Sequence, residues 1–187
     1  YAMGSNSEAQ THGFRVDGAF TLNSSGGNIA IRGKSYAMAV REEWGASGIE
    51  IYALSSSGQI DSGTGTIYLD GYSQTSGSSY SSGIHLITNQ PFTIKSANTT
   101  ADAIKIVGKA TGTSGQAWGI EQENNTLSVL ATGVGGGITL TTSQKGSYEA
   151  VMRGTWNMLA NSGPITWTSK ADSDGVGNGY WYGPLSY

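Results

Sequence analysis

The feature that most constrains this chain is a short phrase it repeats: glycine, an apolar residue, a spacer, and a second apolar residue. It reads Gly27-Asn28-Ile29-Ala30-Ile31, Gly48-Ile49-Glu50-Ile51, Gly65-Thr66-Ile67-Tyr68-Leu69, Gly83-Ile84-His85-Leu86, Gly137-Ile138-Thr139-Leu140 and Gly163-Pro164-Ile165-Thr166-Trp167. Each copy alternates as a short strand with one buried face does. The glycine before it supplies a bend suited to positive φ. Strands and turns recurring from end to end are the mark of a stacked β-architecture.

Two kinds of strand alternate. One runs into a polar tail, as in Ile67-Tyr68-Leu69-Asp70-Gly71-Tyr72-Ser73. The other starts on a small residue, as in Ala103-Ile104-Lys105-Ile106 and Gly119-Ile120-Glu121-Gln122. The expected fold is all-β, a right-handed parallel β-helix (solenoid), with a β-sandwich or jelly roll as the alternative. Sandwiches and jelly rolls need hairpins with tight Asn-Gly or Asp-Gly turns. Asp17-Gly18 and Asp70-Gly71 are the main candidates, and the second leads into a Ser-rich stretch rather than a clear strand. With roughly 20 to 30 residues per turn, the chain makes some six to eight coils, about 30 to 40 Å of rod at ~4.8 Å per coil. Ile138 and Ile165 are expected inside and Thr139 outside.

Composition narrows the function. Of 187 residues, 29 are Gly, 3 are Pro and only 12% are charged, against about 25% in an average soluble domain. The polar surface is therefore Ser, Thr, Asn and Gly. Net charge is −3 and the ten Lys and Arg are scattered, so nucleic acid is not an expected partner. No apolar run is long enough to span a membrane as a helix. With no cysteine, disulfides, thiol catalysis and cysteine-zinc sites are excluded. Residues 1–12 read as an expression-vector remnant and frayed N terminus. Residues 13–187 read as a single β-helix domain, an internal fragment of a longer protein.

The Gly-x-Ile-x-Leu strands, the Ser/Thr/Gly/Asn surface and the lack of cysteine resemble the β-helical shafts of filamentous-haemagglutinin-like exoproteins, which include two-partner-secretion adhesins and contact-dependent inhibition proteins. The resemblance covers about Gly13 to Lys170 and is one of style, without a shared ligand motif. It implies a secreted or cell-surface bacterial adhesin with a role in virulence. It also implies export through an outer-membrane secretion partner and a receptor or glycan on a host or neighbouring cell. On this reading the chain is a non-enzymatic structural and adhesive segment, a monomer that displays binding loops on a rigid rod. The alternative is a carbohydrate-active β-helix, either a polysaccharide lyase or a tailspike-like depolymerase.

Few residues offer chemistry. His12 falls in the expected frayed end. His85 alternates with Ile84 and Leu86 and is expected outside, solvated and without convergent partners, so neither a metal site nor a catalytic residue is assigned. Glu42/Glu43, Glu121/Glu123 and Asp172/Asp174 are carboxylate pairs that could serve glycoside chemistry, or simply be solvated turns. Asp172-Ser173-Asp174-Gly175 opens like a calcium loop but lacks the closing glutamate. No cofactor is expected. The ligand-binding candidates are aromatic: Trp44, Trp118, Tyr180, Trp181 and Tyr182, since exposed rings stack on sugars and anchor interfaces. The paired Thr of Thr139/Thr141 and Thr166/Thr168 hint at an ice-binding array but do not continue into other strands.

Overall fold

The computed structural model of the chain describes residues 11–37, 45–54, 57–75, 81–112, 117–145, 150–171, 180–182 and 185–186. They form strands only: β1 (His12–Asp17), β2 (Thr21–Asn23), β3 (Ile29–Ala37), β4 (Ala46–Ala53), β5 (Gly58–Asp61), β6 (Ile67–Thr75), β7 (Ser81–Thr88), β8 (Phe92–Ser96), β9 (Ile104–Gly112), β10 (Ala117–Ala131), β11 (Ile138–Lys145), β12 (Ala150–Ala160), β13 (Ile165–Ala171), β14 (Tyr180–Tyr182) and β15 (Leu185–Ser186). Every pairing is parallel, and each strand pairs with the strand one coil away: β3 with β6, β6 with β9, β9 with β11, β11 with β13. The chain is a parallel β-solenoid. Hairpins are absent among the described residues, which removes the sandwich and the jelly roll.

Each coil has three sides. The first face stacks β1, β4, β7 and the start of β10, and the second stacks β2, β5, β8 and the end of β10. β10 and β12 run through the corner between these two faces without a break. The third face is a separate 5-stranded sheet, β3-β6-β9-β11-β13. The stack is shorter than six to eight coils because turns and corner segments lengthen each coil.

The core is made of columns. Ile29, Ile67, Ile104, Ile138 and Ile165 stand in register on the third face, next to Ile31, Leu69, Ile106, Leu140 and Trp167. The first face contributes Ile49, Ile84 and Ile120, and the second Ile60, Ile94 and Val129, all fully buried. Each side chain that stacks on its equivalents stabilises the fold by about 1.5–3 kcal/mol through the apolar surface it removes from water.

The last coil departs from this pattern. Ile138 is fully buried, but Ile165 is 40% exposed and Leu159 and Trp167 are also exposed. Ile165 is in register with Ile138, yet it is not an enclosed core residue like Ile138. Ile138→Ala should cost about 2–4 kcal/mol, the loss of a buried branched side chain plus a cavity. Ile165→Ala should cost about 1 kcal/mol. Thr139→Ala removes an exposed hydrogen bond donated to Asp102 Oδ1 at 2.6 Å and should cost about 1 kcal/mol or less. Denaturant melts of the three variants check the ranking; Ile138→Ala as mild as Ile165→Ala would refute the enclosed column.

The glycines explain the corner between the third and first faces. Gly33, Gly71 and Gly108 form a column on the third face. Gly13, Gly48, Gly83 and Gly119 oppose them on the first. A Cβ on Gly71 would lie 2.0 Å from Gly83 O, and one on Gly108 would lie 2.1 Å from Gly119 O. The two backbones touch, with no room for a side chain. None of the glycines that open the repeated phrases has positive φ among the described residues; Gly18, Gly26, Gly63, Gly135 and Gly154 do. The repeated glycine is therefore required mainly by close approach of backbones, not by a left-handed bend.

Candidate functional site

The first face carries an unusual column. The pairing places Arg15 against Glu50, Glu50 against His85, His85 against Glu121, and Glu121 against Arg153. Five ionisable side chains stand on five successive strands, each two residues after a position in the glycine column or its continuation at Val151. Asp17 and Glu123 lie two residues further on, and His12, Ser47, Ser82 and Trp118 three residues back.

Contacts run along this column in both directions. Arg15 Nη1 lies 2.9 Å from Glu50 Oε1, and its Nη2 lies 2.8 Å from Asp17 Oδ1. Arg15 Nη1 also reaches His12 Nε2 at 3.0 Å. Only donors are present on the guanidinium, so His12 Nε2 accepts, and the ring is neutral with its proton on Nδ1. Nδ1 then faces Glu50 Oε2 at 3.3 Å. His85 sits between two coils of carboxylates: Nδ1 is 3.6 Å from Glu50 Oε2, and Nε2 is 3.7 Å from Glu121 Oε2 and 3.9 Å from Glu123 Oε1. Ser82 Oγ donates to Glu121 Oε2 at 2.8 Å. Arg153 Nη1 bonds Glu121 Oε1 at 2.8 Å and Glu123 Oε1 at 3.3 Å. Its guanidinium also rests over the Trp118 ring, 5.5 Å from the centroid.

Burial makes these contacts matter. The Glu50 and Glu121 side chains are 7% and 4% exposed, where an uncompensated carboxylate is very costly. Burial lowers the His12 pKa, and Arg15 and His85 add to that, outweighing Glu50. Burial also works against charge on His85, but contact with Glu123 and Glu50 and the charge of Glu121 win, and its pKa is pushed up to about 10. Burial tends to raise Glu50, yet contact with His85, the neighbouring His12 ring and the charges of His85 and Arg15 hold it below the usual range. The next two carboxyls split: burial raises Glu121, whereas contact with His85 lowers Glu123.

His85 and the Glu121/Glu123 pair therefore differ from their sequence reading. His85 is not a solvated residue without partners, and the two glutamates are not a solvated turn. Nor is His12 in a frayed end: β1 starts at His12, and its side chain is 8% exposed. Trp118 was singled out for its ring, and the structure places it half-buried against Arg153 at the edge of the column. Tyr180, Trp181 and Tyr182 form β14, paired with β12, but their side chains lie outside the described residues. So do Trp44, Glu42/Glu43 and Asp172/Asp174. The threonines form a two-by-two block, Thr139 beside Thr166 and Thr141 beside Thr168, and the preceding strand presents Lys105 and Val107 instead.

A signal for the column was present in the sequence. Gly13-Phe14-Arg15, Gly48-Ile49-Glu50, Gly83-Ile84-His85 and Gly119-Ile120-Glu121 all place an ionisable residue two after the glycine. Aligned on the glycines, they form the ladder. No family model, no curated protein and no solved structure matches the chain.

Proposed function

We propose that this chain is a stiff, non-enzymatic segment of a large secreted bacterial surface exoprotein, in which the solenoid holds adhesive corner segments away from the cell. The observation that carries the reading is how the ionisable groups of the first face are spent. Each buried carboxylate faces side-chain nitrogens on the neighbouring strands: Glu50 those of Arg15, His12 and His85, and Glu121 those of His85 and Arg153. Breaking such a ladder leaves a buried charge unpaired, so it locks coil to coil. That is a mechanical role. Adhesion then belongs to the segments between strands, and Trp44, Trp118, Tyr180, Trp181 and Tyr182 are the rings suited to stack on a glycan or anchor a receptor. A receptor or glycan on a host or neighbouring cell is the matching partner, and export by an outer-membrane secretion partner follows from the same resemblance.

A specific observation favours a second reading, a carbohydrate-active β-helix. Glu121 and Glu123 are neighbouring carboxyls on one strand that share Arg153 Nη1 at 2.8 and 3.3 Å, and glycoside chemistry uses such a pair of carboxyls.

One pair of measurements separates the two. The purified chain is applied to a glycan array and to cultured cells, and a panel of bacterial and plant polysaccharides is assayed for depolymerisation. The rod reading expects retention on a subset of glycans or cells, weakened when Trp44 or Trp181 is replaced by alanine, and no turnover. Turnover of any polysaccharide that disappears in Glu121→Gln would overturn it in favour of the enzyme.

A further inference from the structure

Within the ladder, two imidazole nitrogens are buried without a hydrogen-bond partner, His12 Nδ1 beside Glu50 and His85 Nε2, and of these His85 Nε2 faces two carboxylates. His85 Nε2 is sealed from solvent and has no hydrogen-bond partner. It points between Glu121 Oε2 at 3.7 Å and Glu123 Oε1 at 3.9 Å. Those separations are too long for hydrogen bonds. They suit two ligand atoms sharing one ion: with metal–ligand bonds of about 2.0–2.2 Å, such atoms sit roughly 3 to 4.2 Å apart. A buried ring nitrogen without a partner is rare and calls for one.

We propose that His85, Glu121 and Glu123 bind a divalent transition-metal ion of the zinc class, which pins the coil of β7 to the coil of β10. The donor set is one imidazole nitrogen and two carboxylate oxygens, and the three offered atoms all lie within 4.8 Å of one another. A nitrogen donor suits zinc and its first-row neighbours better than calcium, which takes six to eight oxygens, or magnesium, which keeps its waters.

The surroundings provide the supporting shell that a metal-bound histidine needs. The other ring nitrogen, Nδ1, faces Glu50 Oε2 at 3.6 Å, so when an ion displaces the proton from Nε2 the remaining proton stays on Nδ1 beside that carboxylate. Ser82 and Arg153 hold the two oxygens of Glu121. Arg153 is the one neighbour an incoming cation would disfavour. It can give up Glu123 Oε1, its longer contact at 3.3 Å, and keep Glu121 Oε1 and the face of Trp118. The ligands come from two strands that are 36 residues apart at the paired positions His85 and Glu121. An ion there closes a long loop, and by mass action it stabilises only the folded chain.

The test uses the full chain freed of metal by a chelator and then dialysed. Zinc chloride is titrated in by calorimetry near pH 7.5, where an imidazole ligand must shed its proton, and thermal melts are recorded at rising free zinc. The expected result is one ion per chain and a melting temperature that climbs with free zinc. Magnesium and calcium at about 1 mM should give no comparable rise. Glu123→Gln should weaken zinc at least about tenfold. This side chain is 32% exposed, so the variant should fold even if His85→Gln does not. X-ray absorption at the zinc edge should show one imidazole among oxygen donors. Absent saturation at about 1 mM zinc, unchanged affinity in Glu123→Gln, or a zinc spectrum with no imidazole would each overturn the site. Failure of this test leaves the rod reading standing, because that reading rests on cell and glycan binding.

Discussion

Replacing Gly71 by alanine should destabilise the chain more than truncating any single core residue, by about 4–5 kcal/mol or to the point of not folding. The added Cβ would sit 2.0 Å from Gly83 O, 2.7 Å from Gly83 C and 2.7 Å from Ile84 Cγ1. Two of those atoms are backbone and cannot swing away. The third face and the first face would have to part by an ångström or more, and because the coils are stacked, the parting spreads to Gly48 and Gly108 above and below. Overpacking of a side-chain core usually costs about 1–3 kcal/mol, since side chains can shift rotamer; a backbone-on-backbone corner lacks that relief. Gly27→Ala is the control. It opens a repeated phrase in the same way, but its nearest neighbours lie at 3.7 Å and its φ is not positive. It should be neutral or stabilise by up to about 1 kcal/mol, because alanine loses less chain entropy on folding. Urea melts of the pair decide it. Similar midpoints for both variants would mean that the corner can open.

The glycines also show how much of the fold the sequence made legible. Alternation of apolar residues after each glycine identified the strands and their inward faces, because one face of a β-coil must be apolar. It placed Ile29, Ile67 and Ile138 inside without knowledge of their partners. Alternation could not say why the glycine was there. Gly48 reads the same whether it is needed for a left-handed turn or for a neighbouring backbone, and only the pairing reveals Tyr72 N at 2.2 Å from its missing Cβ. Ile165 was misjudged for a similar reason. Its place in the strand is like that of Ile138, but burial depends on having a covered coil on both sides. The ladder was hidden more deeply. His85 obeys the outward phase of its strand, so its own neighbours in sequence, Ile84 and Leu86, give no hint of charge. Its real neighbours are Glu50 and Glu121, about one coil away on either side, and they meet it only if the coils stack glycine on glycine.

The two histidines of the ladder should give the chain a stability maximum near pH 6.5 when metal is chelated. His85 has its pKa raised to about 10 by Glu123, Glu50 and Glu121 against the cost of burial. Its contribution is complete below the unfolded value near 6.5 and is lost as pH rises from there towards 10, because unfolding then releases a proton. The slope should approach ~1.4 kcal/mol per pH unit, a few kcal/mol across the range. His12 has the opposite sign. Burial keeps it neutral, so below pH 6.5 the unfolded chain binds a proton that the folded chain refuses, and stability falls as pH drops. Glu50, held below its usual range by His85, His12 and Arg15, adds to the acid loss only below about pH 4.5. The groups facing His85 from β4 and β10 are the three glutamates, with Arg15 on β1 and Arg153 on β12 beyond them. Both arginines keep their charge throughout this range; Glu121, raised by burial, loses its contribution as pH climbs from about 4.5, and the limb from about pH 7 to 9.5 is dominated by His85. Melting temperatures measured with chelator from about pH 5 to 9.5 should therefore peak near neutrality and fall on both sides. His85→Gln should start lower and lose the alkaline slope, while retaining the acid one. A flat profile between about pH 7 and 9.5 would show that His85 is not held in its protonated form by the carboxylates around it, and that the ladder is weaker than its distances imply.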